Sequence, residues 1–216
     1  CRLCNKKIRK FKMKNILITG CAGFIGFHLS KFLLKRNYKV FGIDNLNKYY
    51  DINLKTKRIK ILNKYRNFKL YKFDIAKKNF FRKIKYAKID KIFHFAAQAG
   101  VRYSLLNPEK YLKSNVVGTF NVLEFAKENK IKKLIFASSS SVYGDLNKKK
   151  FKETDSTDSP LQFYAATKKS AEVMIKSYSH LYNIEAIIFR FFTVYGPYGR
   201  PDMAIYNFVE KILNNK

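Results

Sequence analysis

The sequence predicts an α/β fold built on a doubly wound parallel sheet, and three observations carry that expectation. Short β-rich runs alternate with longer stretches of helical spacing. No internal repeat or low-complexity linker interrupts the alternation. A glycine triplet sits at the first strand-to-helix junction, with an acid closing the second strand. Strand–helix–strand repeats place parallel strands between helices, and right-handed crossovers wind such a sheet in both directions from its middle.

The strands are read at Asn15–Thr19, Lys39–Ile43, Phe68–Phe73, Lys91–Phe95, Lys133–Ser138 and Ile184–Arg190. Helical spacing covers Ile25–Arg36, Ser114–Asn129 and Gln162–Tyr182, and another helical pattern begins near Met203. The polar, proline-containing stretch Asn147 to Pro160 reads as a surface loop.

The chain has 216 residues, 47% of them apolar, which suffices for one core. Its net charge of +30 raises a nucleic-acid reading. The lysines are spread along the whole chain rather than clustered, which favours a solvated basic surface with salt-sensitive, nonspecific sticking to polyanions. Three cysteines are too few for a disulfide framework, so the chain reads as cytoplasmic. Cys1 and Cys4 have CxxC spacing but no second pair follows, and no metal site is expected. Residues 1–12 read as a disordered or non-native extension, and Met13 as the true start. The basic stretch Lys6 to Lys14 followed by apolar Ile16 to Phe27 imitates a signal peptide. The glycines account for that stretch better, and no apolar run reaches the length of a membrane span.

In Thr19-Gly20-Cys21-Ala22-Gly23-Phe24-Ile25-Gly26, each glycine has a task. Gly20 permits the tight turn, Gly23 lets the backbone approach a pyrophosphate, and Gly26 lets the helix pack close to the sheet. The helix N-terminus offers free N–H groups to the phosphates. Asp44, at the end of the second strand, can accept the adenosine ribose hydroxyls and would repel a 2′-phosphate, so NAD is favoured over NADP. Asp74 and Ile75 end the third strand, where they can bracket the adenine. Tyr164 and Lys168 lie four residues apart at the start of a helix and so share one face. They follow the cluster Ser138 to Ser141, which ends the fifth strand. A phenol is a poor base at neutral pH. A nearby ammonium and a positive nicotinamide ring stabilise the phenolate and lower its pKa.

The GxxGxxG turn, the serine cluster and the YxxxK pair together resemble the extended branch of the short-chain dehydrogenase/reductases, with their NAD-binding Rossmann domain. More specific stretches resemble the NAD-dependent epimerases, closest to the UDP-glucuronate 4-epimerases. They are Gly42 to Asn47 with Tyr49-Tyr50-Asp51, His94 to Ser104, Tyr164 to Lys169, Arg190 to Pro197, and Gly199 to Asp202. The resemblance runs from about Lys14 to the end and implies a role for each matching position. Ser139 is the catalytic hydroxyl, Tyr164 the base and Lys168 its electrostatic partner. Phe24, Ile25, Asn45, Phe95, Ala96 and Ala97 join the glycines, Asp44, Asp74 and Ile75 around NAD, with Asn115 supporting that network. Ser140, Ser141, Thr193 and Arg200 meet the nucleotide sugar, Arg200 near its phosphates or acidic sugar.

The related sugar 4,6-dehydratases carry Thr-Asp-Glu where this chain has Ser139, Ser140 and Ser141. Three hydroxyls lack the acids that dehydration needs, but they can hold a sugar carboxylate without adding like charge. The implied reaction is epimerisation at C4 of UDP-glucuronate through a 4-keto intermediate, in a homodimeric enzyme serving polysaccharide synthesis. UDP-glucose 4-epimerase, another extended-branch epimerase or reductase, and a non-catalytic NAD-binding protein remain as alternatives. The family's smaller C-terminal domain is expected to be mostly missing, and the isolated chain to be inactive as an epimerase. His28, His94 and His180 have no metal-spaced partners and are read as core or surface. Phe95 and Phe192 are candidates for the cleft wall.

Overall fold

The computed structural model describes residues 14–77, 84, 87–145 and 150–214. The Cys1/Cys4 pair, Met13 and the start of the loop at Asn147 lie outside the described residues. Six parallel strands form one sheet in the order β3-β2-β1-β4-β5-β6. They are β1 (Asn15–Thr19), β2 (Lys39–Asp44), β3 (Phe68–Lys72), β4 (Lys91–His94), β5 (Lys133–Ser139) and β6 (Glu185–Phe191). All six expected strands are present, each within one residue of the expected ends.

Alternation along β1 shows how the sheet is sandwiched. Ile16 and Ile18 pack into one buried cluster with Phe27, Leu34 and Val40. Leu17 points the other way, into a second cluster with Ile92, Phe125, Leu134 and Ile175. A strand buried on both faces reads as a continuous apolar run, which is what Ile16-Leu17-Ile18 is.

The helices are α1 (Phe24–Leu34), α2 (Ile52–Leu62), α3 (Val101–Leu106), α4 (Pro108–Tyr111), α5 (Gly118–Glu128), α6 (Phe163–Tyr182) and α7 (Ala204–Leu213). Asp51 caps α2, its carboxylate accepting the Asn53 N–H at 2.8 Å. The stretch Ser114–Asn129, read as one helix, starts as a π-helical turn, Leu112–Val117, which joins α4 to α5. One extra residue in that turn bulges the helix locally. The turn carries Asn115, which is buried. No described helix is long and apolar enough to cross a membrane.

Registers align the strand ends. Thr19 stands opposite Ile43 on one side and His94 on the other, and Ser139 stands opposite Phe191. The strand order reverses between β1 and β4, and such a switch point opens a crevice at the carboxyl edge.

Candidate active site

The glycine turn hangs from the end of β2. Gly20 N–H donates to the Ile43 carbonyl at 2.7 Å, and Ala22 N–H to Asp44 Oδ2 at 3.0 Å. Gly20 has φ +75°, and a Cβ on it would lie 2.7 Å from the Ala96 nitrogen. A Cβ on Gly26 would overlap the Gly20 carbonyl oxygen. Both positions therefore require glycine, as the spacing implied. The first turn of α1 lines the crevice and carries no acid.

A cavity of about 790 Å³ runs along the carboxyl edge. Gly20, Gly23, Phe24, Ile25 and Gly26 line one end, beside Asp44, Asn45, Asp74 and Ile75. Phe95, Ala96 and Ala97 line its middle, where β4 ends. Ser139, Ser140, Ser141, Tyr164 and Lys168 line the other end, with Thr193, Arg200 and Phe192. One expected residue is elsewhere. Asn115 is not among the lining residues but stands behind them, 2% exposed. Its Oδ1 accepts the Gln98 N–H at 2.8 Å, and its Nδ2 donates to the Gln98 carbonyl at 3.1 Å and to Thr167 Oγ1 at 3.0 Å. The π turn aims the amide at this join, so Asn115 braces the wall behind the lining residues.

His94 belongs to the same brace, as a core residue. Thr119 Oγ1 donates to the Asn115 carbonyl, so it accepts from His94 Nε2 at 3.0 Å. That leaves His94 Nδ1 to accept from Thr19 Oγ1 at 2.7 Å. Burial holds this imidazole neutral, with a pKa pushed down to about 3 and the charge of Lys168 adding to the effect. A continuous polar chain thus runs from the glycine turn to Thr167, whose hydroxyl donates to the Tyr164 carbonyl at 2.8 Å. Among the described residues no three metal-ligating side chains cluster.

Tyr164 and Lys168 share a face, and both are shifted by burial. Burial raises the Tyr164 phenol above its ordinary range, against a hydrogen bond with Ser139 and the charge of Arg200. In the protein alone, desolvation outweighs both of these lowering effects. Lys168 Nζ donates to the Ala137 carbonyl at 2.7 Å, lies over the Phe136 ring and makes no other hydrogen bond among the described residues. Two of its three donors are left for a ligand. Ser139 Oγ donates to Ser141 Oγ at 3.1 Å.

Burial presses the Lys168 pKa from 10.5 down to about 7, against the raising effect of Glu172. Below about 7 both folded and unfolded chains hold the proton, so folding bears the whole penalty, about 5 kcal/mol. From there toward 10.5 the unfolded chain holds the proton more tightly, so stability rises with pH and the penalty fades. Lys168→Met forfeits the bond to Ala137, about 1–2 kcal/mol. It is therefore expected to raise the unfolding free energy by about 3 kcal/mol at pH 6, with the gain shrinking as pH approaches 10. Urea melts at the two pH values check this; no gain at pH 6 would contradict it.

Sequence reasoning missed several wall residues. Lys55 lines the cavity, 5% exposed, with Nζ donating to the Asn47 carbonyl at 2.8 Å and to Asn47 Oδ1 at 2.6 Å. Burial lifts the Asp44 carboxyl, while N–H donors from Leu46 and Ala22 and the charges of Lys55 and Arg58 pull it back. Arg58 is fully buried and donates to the Ala22 carbonyl, Tyr50 Oη and the Tyr198 carbonyl. Asp202 pairs with Arg200 through both carboxylate oxygens and accepts Tyr49 Oη at 3.1 Å. Nothing in a lysine-rich sequence marks Lys55 and Arg58 as the buried cations. Tyr49, Tyr50 and Asp202 lay within the stretches that carried the resemblance, where no role was assigned to them.

The family model described as GDP-mannose 4,6 dehydratase matches residues 17–216. The chain belongs to that family. Within the GDP-mannose 4,6 dehydratase family, which falls in the extended short-chain dehydrogenase/reductases, it is similar to an uncharacterized protein of Methanocaldococcus jannaschii. The two are 54% identical over 209 residues, 95% of this chain and 64% of the relative. It is 49% identical to a probable UDP-glucuronate 4-epimerase of Rhizobium meliloti, over 93% of this chain and 59% of the relative. Among solved structures it resembles the UDP-glucuronic acid 4-epimerase of Bacillus cereus in complex with UDP-glucuronic acid and NAD. The TM-score is 0.86 at 38% identity, covering 94% of this chain and 64% of that one. The chain therefore spans somewhat less than two thirds of the length of these family members.

Proposed function

We propose that this chain is the cofactor-binding part of an NAD-dependent nucleotide-sugar 4-epimerase that interconverts UDP-glucuronate and UDP-galacturonate. One observation carries the reading: Ser139, Tyr164 and Lys168 face the same cavity whose other end is the glycine turn. The residues fit a dinucleotide. Gly20 and Gly26 leave no room for a Cβ, which brings the backbone of the turn close to a pyrophosphate. Asp44 retains acceptor capacity for the ribose diol beside its two N–H bonds. NAD bound there supplies a reversible hydride acceptor and a positive ring beside the phenol.

The chain's own groups do the rest. Tyr164, as phenolate, takes the proton of the sugar 4-hydroxyl and later returns it to the same oxygen. Ser139 hydrogen-bonds that oxygen. Lys168, with two free donors, orients what lies beside the phenol and favours its ionised form. Inversion at C4 then needs the 4-keto sugar to turn over and present its other face, with no net oxidation. Ser140 and Ser141 offer neutral donors to a sugar carboxylate, and Arg200 offers a cation held in place by Asp202. The same hydroxyls disfavour dehydration, which requires an acid at those positions.

The names of the relatives and the B. cereus complex support the uronic acid. The outward sides of the π turn, α5 and α6 expose Leu112, Val117, Phe120 and Val173, in keeping with a homodimer packed through these helices. β6 exposes Ile187 and Phe189, and α7 has no buried residue. With those faces bare, the chain alone is expected to bind NAD but not to turn over the sugar.

Calorimetry with NAD, and proton NMR of UDP-glucuronate and UDP-glucose incubated with the chain or with a protein of the relatives' length, test the reading. NAD binding, with C4 inversion of the acidic sugar by the longer protein in preference to the neutral one, is expected. Failure to bind NAD overturns the cofactor reading. Preference for UDP-glucose overturns the substrate, and turnover by the chain alone overturns its expected inactivity.

A further inference from the structure

Glu172 is a buried carboxylate to which the mechanism above gives no part. It lies one helical turn after Lys168 on α6 and is 2% exposed. It accepts Ser138 Oγ at 2.5 Å, Arg190 Nη2 at 3.0 Å and Arg190 Nε at 3.2 Å. Ser138 immediately precedes Ser139 and stands in register with Arg190 across β5 and β6. Glu172 thus joins three elements at the point where the serine cluster begins. A simple structural ion pair with Arg190 would need neither Ser138 nor a place four residues from Lys168. A buried ammonium bonded only to a carbonyl is costly unless an opposite charge lies near. Residues four apart on a helix are close enough to supply it.

We propose that Glu172 is a positioning residue for the reaction: it holds Lys168 in its charged form and fixes Ser138, and with it Ser139, at the end of β5. The proposal rests on the reading of Ser139, Tyr164 and Lys168 as the reacting set. The titratable and charged groups around Lys168 are His94 from β4, Tyr164 and Glu172 from α6, and Arg190 from β6, with Arg200 beyond β6 acting on Tyr164. Within that set Glu172 is the anion, and its charge opposes the effect of burial on Lys168. Without it, Lys168 would already be shedding its proton below neutrality and would lose its hold on a phenolate.

The titration of Lys168 reads this directly. Nitrogen-15 NMR of lysine Nζ in the whole chain without sugar, with the signal assigned by its loss in Lys168→Met, gives the midpoint. Glu172→Gln, isosteric but neutral, is expected to lower the midpoint by about one pH unit or more. Glu172→Asp, which keeps the charge but withdraws it, should fall between Gln and wild type. A merely structural glutamate would weaken folding while leaving the Lys168 midpoint in place, and that result overturns the proposal. Should the Gln variant not fold, the Asp variant decides: a lowered midpoint supports the proposal and an unchanged one overturns it. NAD binding by wild type is measured separately. Its failure would remove the underlying functional reading, and with it Glu172's part in the reaction, whatever the titration shows.

Discussion

Tyr164→Phe is expected to lower kcat by roughly 10³-fold while NAD affinity changes little. General-base catalysis by one positioned side chain is worth on the order of 10²–10⁴. Tyr164 is half-buried at the start of α6, its N–H bonded to Ser104 Oγ and its carbonyl to Thr167, so its backbone is held independently of the phenol. The ring can lose its oxygen without moving. The measurement belongs in whichever form turns the sugar over, this chain or one of its relatives' length, with calorimetry for NAD alongside. Near-normal turnover in the Phe variant would sink the base assignment. A large loss of NAD affinity would show instead that the hydroxyl's main task is binding.

Gly26→Ala is expected to cost about 3 kcal/mol of folding stability or more and to weaken NAD binding by roughly 100-fold. The added methyl would overlap the Gly20 carbonyl oxygen, which is backbone. Gly20 cannot yield easily, since its N–H is bonded to Ile43 and the Ala96 and Phe95 backbone leaves no room for even a Cβ beside it. Relief must come from moving α1 away from the turn, which withdraws the amides of Phe24 and Ile25 from any phosphate. Thermal unfolding and NAD calorimetry on the same preparation check both effects. A variant with wild-type stability and affinity would show that the helix can slide without cost.

The sheet was legible because β1, β4 and β5 are buried on both faces and read as short apolar runs between turn residues. Asp44 and the glycines were legible because their task is set by backbone geometry, which leaves fixed spacings. The π turn was not legible. Its extra residue leaves the apolar spacing of Ser114–Asn129 almost intact, so the stretch reads as plain helix. The cations were not legible either. In a sequence crowded with lysine and arginine, Lys55 and Arg58 differ from their exposed neighbours only in what folds over them. The burial that opposes ionisation of Tyr164 was not legible for a related reason. Proximity of Lys168 follows from helix spacing, whereas the cost of burying a phenol follows from the walls around it, among them Tyr111, Ser139 and Arg200.

Arg58 also ties together parts of the cleft that are far apart in sequence. One guanidinium nitrogen grips the Ala22 carbonyl in the glycine turn, and the other grips the carbonyl of Tyr198, two residues before Arg200. The glycine turn and the segment leading to Arg200 are therefore joined through a single planar group. On the proposed reading, a ligand that displaces the glycine turn is expected to shift the Tyr198–Arg200 segment too, so that binding at one end of the cleft changes affinity at the other.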